Sequence, residues 1–237
     1  MLLDVEQIHS YYSKSHILHG VSMNLAEEDL VCLLGRNGVG KTTTLKSIMG
    51  IVQAQAGKIV FKGKDLVGKA PYQIAHMGVG YVPEDRRIFP SLTVHENLLI
   101  GIKHDKGPNS PSQGWTIENI YESFPQLENR KENKGAHLSG GEQQMLTVAR
   151  TLMGNPELLL VDEPTEGLAP LIAKSVLKML STIRESGVTL LLVEQNFKAA
   201  VKMADRFYIM SKGQIVFDGD GQALQAAEDI RKKYLEV

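Results

Sequence analysis

The run Gly35-Arg36-Asn37-Gly38-Val39-Gly40-Lys41-Thr42 limits what this chain can fold into more than any other feature. It fills every fixed position of G-x-x-x-x-G-K-[ST] and lies between the apolar run LVCLLG and a helical pattern through Leu45, Ile48 and Met49 that stops at Gly50. The apolar run has no alternation, which predicts a strand buried on both faces, as in a parallel sheet covered by helices. Glycines let successive N–H groups face one point, and the helix N-terminus adds partial positive charge there. That point suits a polyphosphate. Lys41 would reach the β/γ-phosphates, the Thr42 hydroxyl would ligate Mg²⁺, and Thr43 offers a second hydroxyl near the α-phosphate. A chance glycine turn opening a helix is the bland alternative, disfavoured because every fixed position and both flanks agree.

The remainder of the 237 residues predicts an α/β protein. Leu3, Val5 and Ile8, then Ile17-Leu18 and Val21 to Leu25, read as short strands, with a turn at EED; GKIVFKGKDL reads as antiparallel about Lys62-Gly63-Lys64. Gly78 to Val82 reads as a core strand stopping at Pro83. Residues from about 93 to 155 are mostly helical in pattern, with one polar Gly/Pro/Ser-rich loop at 104–114. Two more apolar runs, Leu158 to Val161 and Val188 to Val193, flank a helical segment around Ala173 to Arg184, which implies right-handed parallel crossovers. Hydrophobic residues at 43% supply a sizeable core and exclude disorder as the main state. With 26 basic and 27 acidic residues and no basic block, binding held chiefly by nucleic-acid phosphates or anionic lipid is disfavoured. The single Cys32 reads as a small buried hydrophobe, and the first ten residues lack a signal-peptide layout, so a reducing cytosolic compartment is expected. No apolar stretch reaches the roughly 18–20 residues that cross a bilayer, so another chain would have to supply any span. The nine Met and seven His are scattered without ligand spacing, and no internal repeat is found.

Two further motifs narrow the chemistry. Asp162 and Glu163 end the buried run at 158–161, where ligands gather in open α/β sheets. Asp162 would hold Mg²⁺ through water, and Glu163 is a candidate base or orienter for the water that attacks a γ-phosphate. The segment Leu138-Ser139-Gly140-Gly141-Glu142-Gln143-Gln144 opens a helix with a serine and two glycines, a second anion-binding terminus that one nucleotide in one subunit does not need. An ordinary Ser-capped helix start accounts for Ser139 alone. With these three elements in order, the sequence resembles the ATP-binding-cassette (ABC) ATPases, whose signature LSGGQ stands here as LSGGE.

The resemblance covers essentially the whole chain. It implies a P-loop NTPase with a RecA-like, mainly parallel core at 1–84 and 156–237, an N-terminal antiparallel β subdomain, and an inserted helical subdomain at about 85–155. It also implies that Ser139, Gly140, Gly141 and Glu142 of one subunit close over ATP held by the other, in a head-to-tail dimer. Tyr12 matches the aromatic that stacks on adenine, with Tyr11 as runner-up. Glu84 stands where the family usually has the Q-loop glutamine, so its carboxylate could meet the metal. Ala169, in Glu166-Gly167-Leu168-Ala169, replaces the usual D-loop aspartate, and Gln195 replaces the switch histidine. Glutamine can donate to a γ-phosphate but cannot become cationic near neutral pH, so turnover should lean on Glu163 and Lys41.

Together, GRNGVGKTTTLKSIMG, YVPEDRRIFPSLTVHENL, the GLAP segment and LLVEQN resemble the second ATPase subunit of branched-chain amino-acid importers, the LivF type. The urea-importer ATPase is a close relative. The resemblance implies a peripheral position on the cytoplasmic face of the inner membrane, permease subunits, a periplasmic binding protein acting indirectly, and either a LivG-type paralogue or a second copy as ATPase partner. Arg86, Arg87, Phe89 and Leu92 would face the permease; local packing with two solvated arginines is the alternative reading. A soluble ABC module of DNA repair or translation would need a coiled-coil insertion or a second cassette, and a metabolic P-loop kinase would not carry LSGGE.

Overall fold

The computed structural model describes residues 1–103, 114–195 and 197–235, so the polar loop expected at 104–114 lies, apart from Gly114, outside the described residues. In chain order come β1 (Leu3–Tyr12), β2 (Ser15–Leu25), β3 (Leu30–Leu34), α1 (Lys41–Ile48), β4 (Ala54–Phe61), β5 (Lys64–Asp65), α2 (Pro71–His76) and β6 (Val79–Val82). Four helices follow: α3 (Val94–Ile100), α4 (Ile117–Ser123), α5 (Pro125–Glu128) and α6 (Gly140–Leu152). The chain then returns through β7 (Leu158–Asp162), α7 (Pro170–Glu185), β8 (Thr189–Glu194), α8 (Phe197–Ala200), β9 (Arg206–Ser211), β10 (Gln214–Asp220), α9 (Gly221–Ala226) and α10 (Glu228–Tyr234).

The strands form two sheets. The first is antiparallel, in the order β2-β1-β4-β5, and the second runs β10-β9-β3-β8-β7-β6. In the second, β9, β3, β8, β7 and β6 are parallel and β10 adds an antiparallel edge. Because β6 pairs directly with β7, the helices α3 to α6 are an insertion between neighbouring strands. The Lys62-Gly63 turn is one residue tighter than the sequence implied, since Lys64 already pairs with Phe61.

The continuous apolar runs are explained by burial on both sides. Leu30, Cys32 and Leu34 of β3 join Leu159 and Val161 of β7 and Leu190 and Leu192 of β8 in one core, against α3, α4, α6 and α7. The alternate residues Val31, Leu33, Leu158, Leu160, Leu191 and Val193 enter a second core with α1 and the antiparallel sheet. Cys32 is fully buried and desolvation raises its thiol pKa well above the usual range, as expected of an inert core cysteine.

The β9–β10 turn ties the two sheets together beside the glycine-rich loop. Gly213 donates its N–H to the Val39 carbonyl at 2.8 Å and accepts from the His19 N–H at 2.8 Å. Its φ is +75°, and a Cβ there would overlap the Ile17 carbonyl oxygen. Gly63 has a similar φ of +73° but open space around it. Gly213→Ala should therefore cost about 1–3 kcal/mol or more of stability, clearly more than Gly63→Ala, in paired denaturant melts.

Candidate active site

The parallel strands β3, β8 and β7 lie side by side, so their carboxyl ends open on one edge of the sheet, where open α/β sheets place their ligands. The loop after β3 leads into α1, whose N-cap Gly40 contributes no side-chain cap and whose first turn holds no acid. The first N–H groups of α1 are thus left for an anion by the helix's own sequence. Arg36, Asn37 and Gly38 form the exposed tip of this loop, while Gly35 and Gly40 are buried at its base and Val39 is half-buried.

The structure brings together the four residues on which the chemistry was expected to rest. Lys41 is 3% exposed, and its Nζ donates to the carbonyls of Gly35 (2.9 Å) and Arg36 (3.1 Å) and pairs with Glu163 Oε1 at 2.9 Å. Thr42 Oγ1 donates to Asp162 Oδ1 at 2.9 Å, although 120 residues separate them in sequence. Asp162 Oδ2 accepts from the Tyr81 hydroxyl at 3.1 Å, a partner that sequence reasoning missed because alternation in β6 says only which way Tyr81 points. Thr43 is buried in the first turn of α1.

Glu163 has a φ of +41°, in the left-handed region that non-glycine residues seldom adopt, and donates its N–H to the Val193 carbonyl at 3.0 Å. Such a conformation persists where the surroundings over-determine it, and it is typical of working sites. Burial pushes the Asp162 carboxyl above the usual range, with the Thr42 and Tyr81 hydroxyls pulling it back and the charges of Glu163 and Glu84 adding to the rise. Glu166 was not anticipated as a titrating group. Its hydrogen bond to Glu163, then burial and the neighbouring Glu163 and Glu84 charges, push it up to about 7, against Lys41.

Thr42 and Asp162 present two hard oxygen donors to one point. Among the described residues no group of three or more His, Cys, Asp or Glu forms a metal cage. Mg²⁺ binds through one or two protein oxygens with substrate phosphates and water completing its octahedron, so this donor pair fits it. Glu84 is exposed on a cleft of about 570 Å³ lined also by Arg86, Gln143 and Glu166, and is not hydrogen-bonded to Thr42 or Asp162.

Comparison with known proteins settles the family. The family model for ABC transporters matches residues 18–166. The chain belongs to the ABC transporter family. It is 40% identical over 234 residues to the high-affinity branched-chain amino acid transport ATP-binding protein BraG of Pseudomonas aeruginosa, covering 99% of both chains. It is 31% identical to the lipopolysaccharide export system ATP-binding protein LptB of Haemophilus influenzae, covering 99% of this chain and 97% of that one. It is also 31% identical to the probable branched-chain amino acid transport ATP-binding protein LivF of Archaeoglobus fulgidus, covering 98% and 97%. A crystal structure of the ADP conformation of an ATP-binding cassette of an ABC transporter superposes with a TM-score of 0.84 at 27% identity, covering 98% of this chain and 97% of that one. The cassette fold and the ATPase domain expected from sequence are therefore present.

The ABC signature segment is internally satisfied in this subunit. Ser139 Oγ accepts from the Glu142 N–H at 3.3 Å, and Glu142 returns its carboxylate to the Ser139 N–H (2.8 Å) and to Arg130 Nε (3.2 Å). None of these bonds reaches the loop at 35–42. Tyr12 is exposed on β1, whereas Tyr11 stacks on His16 with ring centroids 4.2 Å apart. Gln195 is exposed, and its backbone N–H donates to Glu194 Oε2 at 3.2 Å. Ala169 is the N-cap of α7 and supplies no side-chain cap, with Pro170 occupying the first helical position instead.

Of the residues expected to face the permease, Arg86 is half-buried on the cleft beside Glu84: its Nη2 donates to the Glu166 carbonyl at 3.4 Å, and its Nη1 is 2.5 Å from where a Cβ on Gly140 would sit. Its backbone φ is +51°, in the left-handed region. Arg87 is exposed but paired with Asp85 at 3.0 Å, Leu92 is half-buried, and the exposed Phe89 ring carries the Arg150 guanidinium 5.0 Å from its centroid. Leu99 and Ile100, at the end of α3, are exposed apolar neighbours that the sequence reading passed over.

The raised Glu166 carboxyl has a thermodynamic consequence. A carboxyl whose folded pKa is raised adds stability below its unfolded pKa and loses it as pH rises through its folded value. Glu166→Gln keeps a donor but cannot titrate. The wild-type Tm should fall relative to that variant between about pH 5 and 8, by a small amount because Glu166 is exposed and screened; scanning fluorimetry across this range checks it.

Proposed function

We propose that this ABC ATPase energises import of branched-chain amino acids, with ATP held between the 35–42 loop of one subunit and the Ser139–Glu142 segment of another. The observation that carries the ATPase chemistry is the meeting of Lys41 with Glu163 and of Thr42 with Asp162 at one edge of the sheet. An arriving γ-phosphate competes with Glu163 for the Lys41 ammonium, and the released Glu163 carboxylate is then free to orient and deprotonate the attacking water. Thr42 and Asp162 would hold Mg²⁺, which neutralises charge on the phosphates when bound, with Glu84 approaching it through water. Gly35 to Gly40 and the α1 N-terminus cradle the phosphates, Tyr12 stacks on adenine, Thr43 sits near the α-phosphate, and Gln195 donates to the γ-phosphate.

The self-capped state of Ser139 and Glu142 supports a second subunit as their client. The capping box uses the N–H groups of Ser139 and Glu142 only, so those of Gly140 and Gly141 at the start of α6 are the donors proposed for a partner's nucleotide. The partner is a LivG-type paralogue or another copy of this chain. ATP bridging two subunits favours closure and hydrolysis removes the bridge, so the conformational change follows from differential affinity. Among the described residues no helix is long and apolar enough to cross a membrane, and ABC ATPase subunits of transporters work with transmembrane permeases. We place this subunit peripherally on the cytoplasmic face of the inner membrane, with Arg87, Phe89 and Leu92 towards the permease and a periplasmic binding protein acting indirectly.

Branched-chain amino acids are favoured as cargo because similarity to BraG extends over both whole chains at 40%, against 31% for LptB. Glu163→Gln should retain ATP binding while lowering turnover by about 10²–10⁴, and should shift the protein to a dimer with ATP on gel filtration; a fully active variant would refute the role. Lys41→Ala should instead weaken nucleotide binding itself, read by titration calorimetry. In cells lacking the gene, uptake of labelled leucine, isoleucine and valine should fall while urea uptake holds, and normal leucine uptake would remove this cargo.

A further inference from the structure

The buried carboxylate at the end of β8 has no part in the chemistry so far described. Glu194 is 3% exposed and sits in register with Leu34, beside the start of the phosphate loop. A carboxylate in such a place is costly unless its oxygens are satisfied, and an apolar residue would finish the strand more cheaply. Two of its contacts tie together two functional segments. Oε1 accepts from Thr165 Oγ1 at 2.7 Å, and Oε2 accepts from the Gln195 N–H at 3.2 Å. Thr165 lies two residues beyond Glu163 and directly before Glu166. The strained φ of Glu163 is thereby flanked by two anchors, the Val193 carbonyl on its own N–H and the Glu194 carboxylate on Thr165.

From this we infer that Glu194 is a positioning residue that yokes the loop carrying Glu163 to the segment carrying Gln195, so that the two respond to the γ-phosphate as one unit. The inference rests on the ATPase reading above. It assigns Glu194 no contact with nucleotide, so its loss should affect turnover and leave affinity for ATP alone.

The test uses the intact protein and steady-state ATPase kinetics. Thr165→Val keeps the side-chain shape and removes the hydroxyl, and should lower kcat about tenfold, the scale of one hydrogen bond to a charged group, with the KM for ATP within about twofold. Thr165→Ser should restore kcat. Glu194→Gln keeps one acceptor and should fall between, and the double variant Thr165→Val/Glu194→Gln should be no slower than Thr165→Val alone. Wild-type kcat in Thr165→Val, failure of Thr165→Ser to rescue, or additive losses in the double variant would each overturn the inference. Should Thr165→Val not fold, Glu194→Gln decides: reduced kcat at unchanged KM supports the yoke, and wild-type kcat refutes it. A wild-type protein with no ATPase activity would instead remove the functional reading on which the yoke depends.

Discussion

A buried ammonium must be paired, and much of the site follows from how Lys41 meets that demand. At 3% exposure its charge cannot be left to water, so two carbonyls of its own loop and the Glu163 carboxylate surround it. The loop carbonyls bend the chain back over the lysine, which shapes the phosphate cradle. Glu163 comes from the far side of β8, so the ion pair also fixes the end of β7 against the start of α1. The Thr42–Asp162 hydrogen bond runs parallel to it and makes the join two-pronged.

The same edge of the sheet gathers four carboxyl groups close together. Asp162, Glu163, Glu166 and Glu84 gather near Lys41, and the charges of Glu163 and Glu84 raise the cost of ionising Asp162 and Glu166. Hydroxyls from Thr42 and Tyr81 relieve part of that cost at Asp162. A polyphosphate entering here brings more negative charge, which is why a divalent cation between Thr42 and Asp162 suits the electrostatics.

Several features were legible in the chain because their signals are local. The apolar runs at 30–34, 158–161 and 189–193 have no alternation because both faces of those strands meet a core. The phosphate loop is readable because its glycines and Lys41-Thr42 act through backbone geometry and a helix end within one short segment. The arginines after Glu84 were harder: nothing in RRIF says that a left-handed Arg86 turns in towards Gly140 while Arg87 stays out. Likewise LSGGE reads as an anion site, but only the folded helix shows Glu142 occupied by its own cap and by Arg130.

What the sequence determined by itself is therefore the kind of fold, the cradle, and the residue types available for phosphate chemistry, since propensity, burial pattern and turn chemistry act over a few residues. Which carboxylate pairs with which donor was decided by the sheet order. By placing β8 between β3 and β7, the fold lays three strand ends together that are far apart in sequence, so Glu163 finds Lys41, Asp162 finds Thr42, and Glu194 finds Thr165. Long-range pairings of this sort depend on distances of a few ångströms between separate segments, and those distances exist only once the sheet has closed.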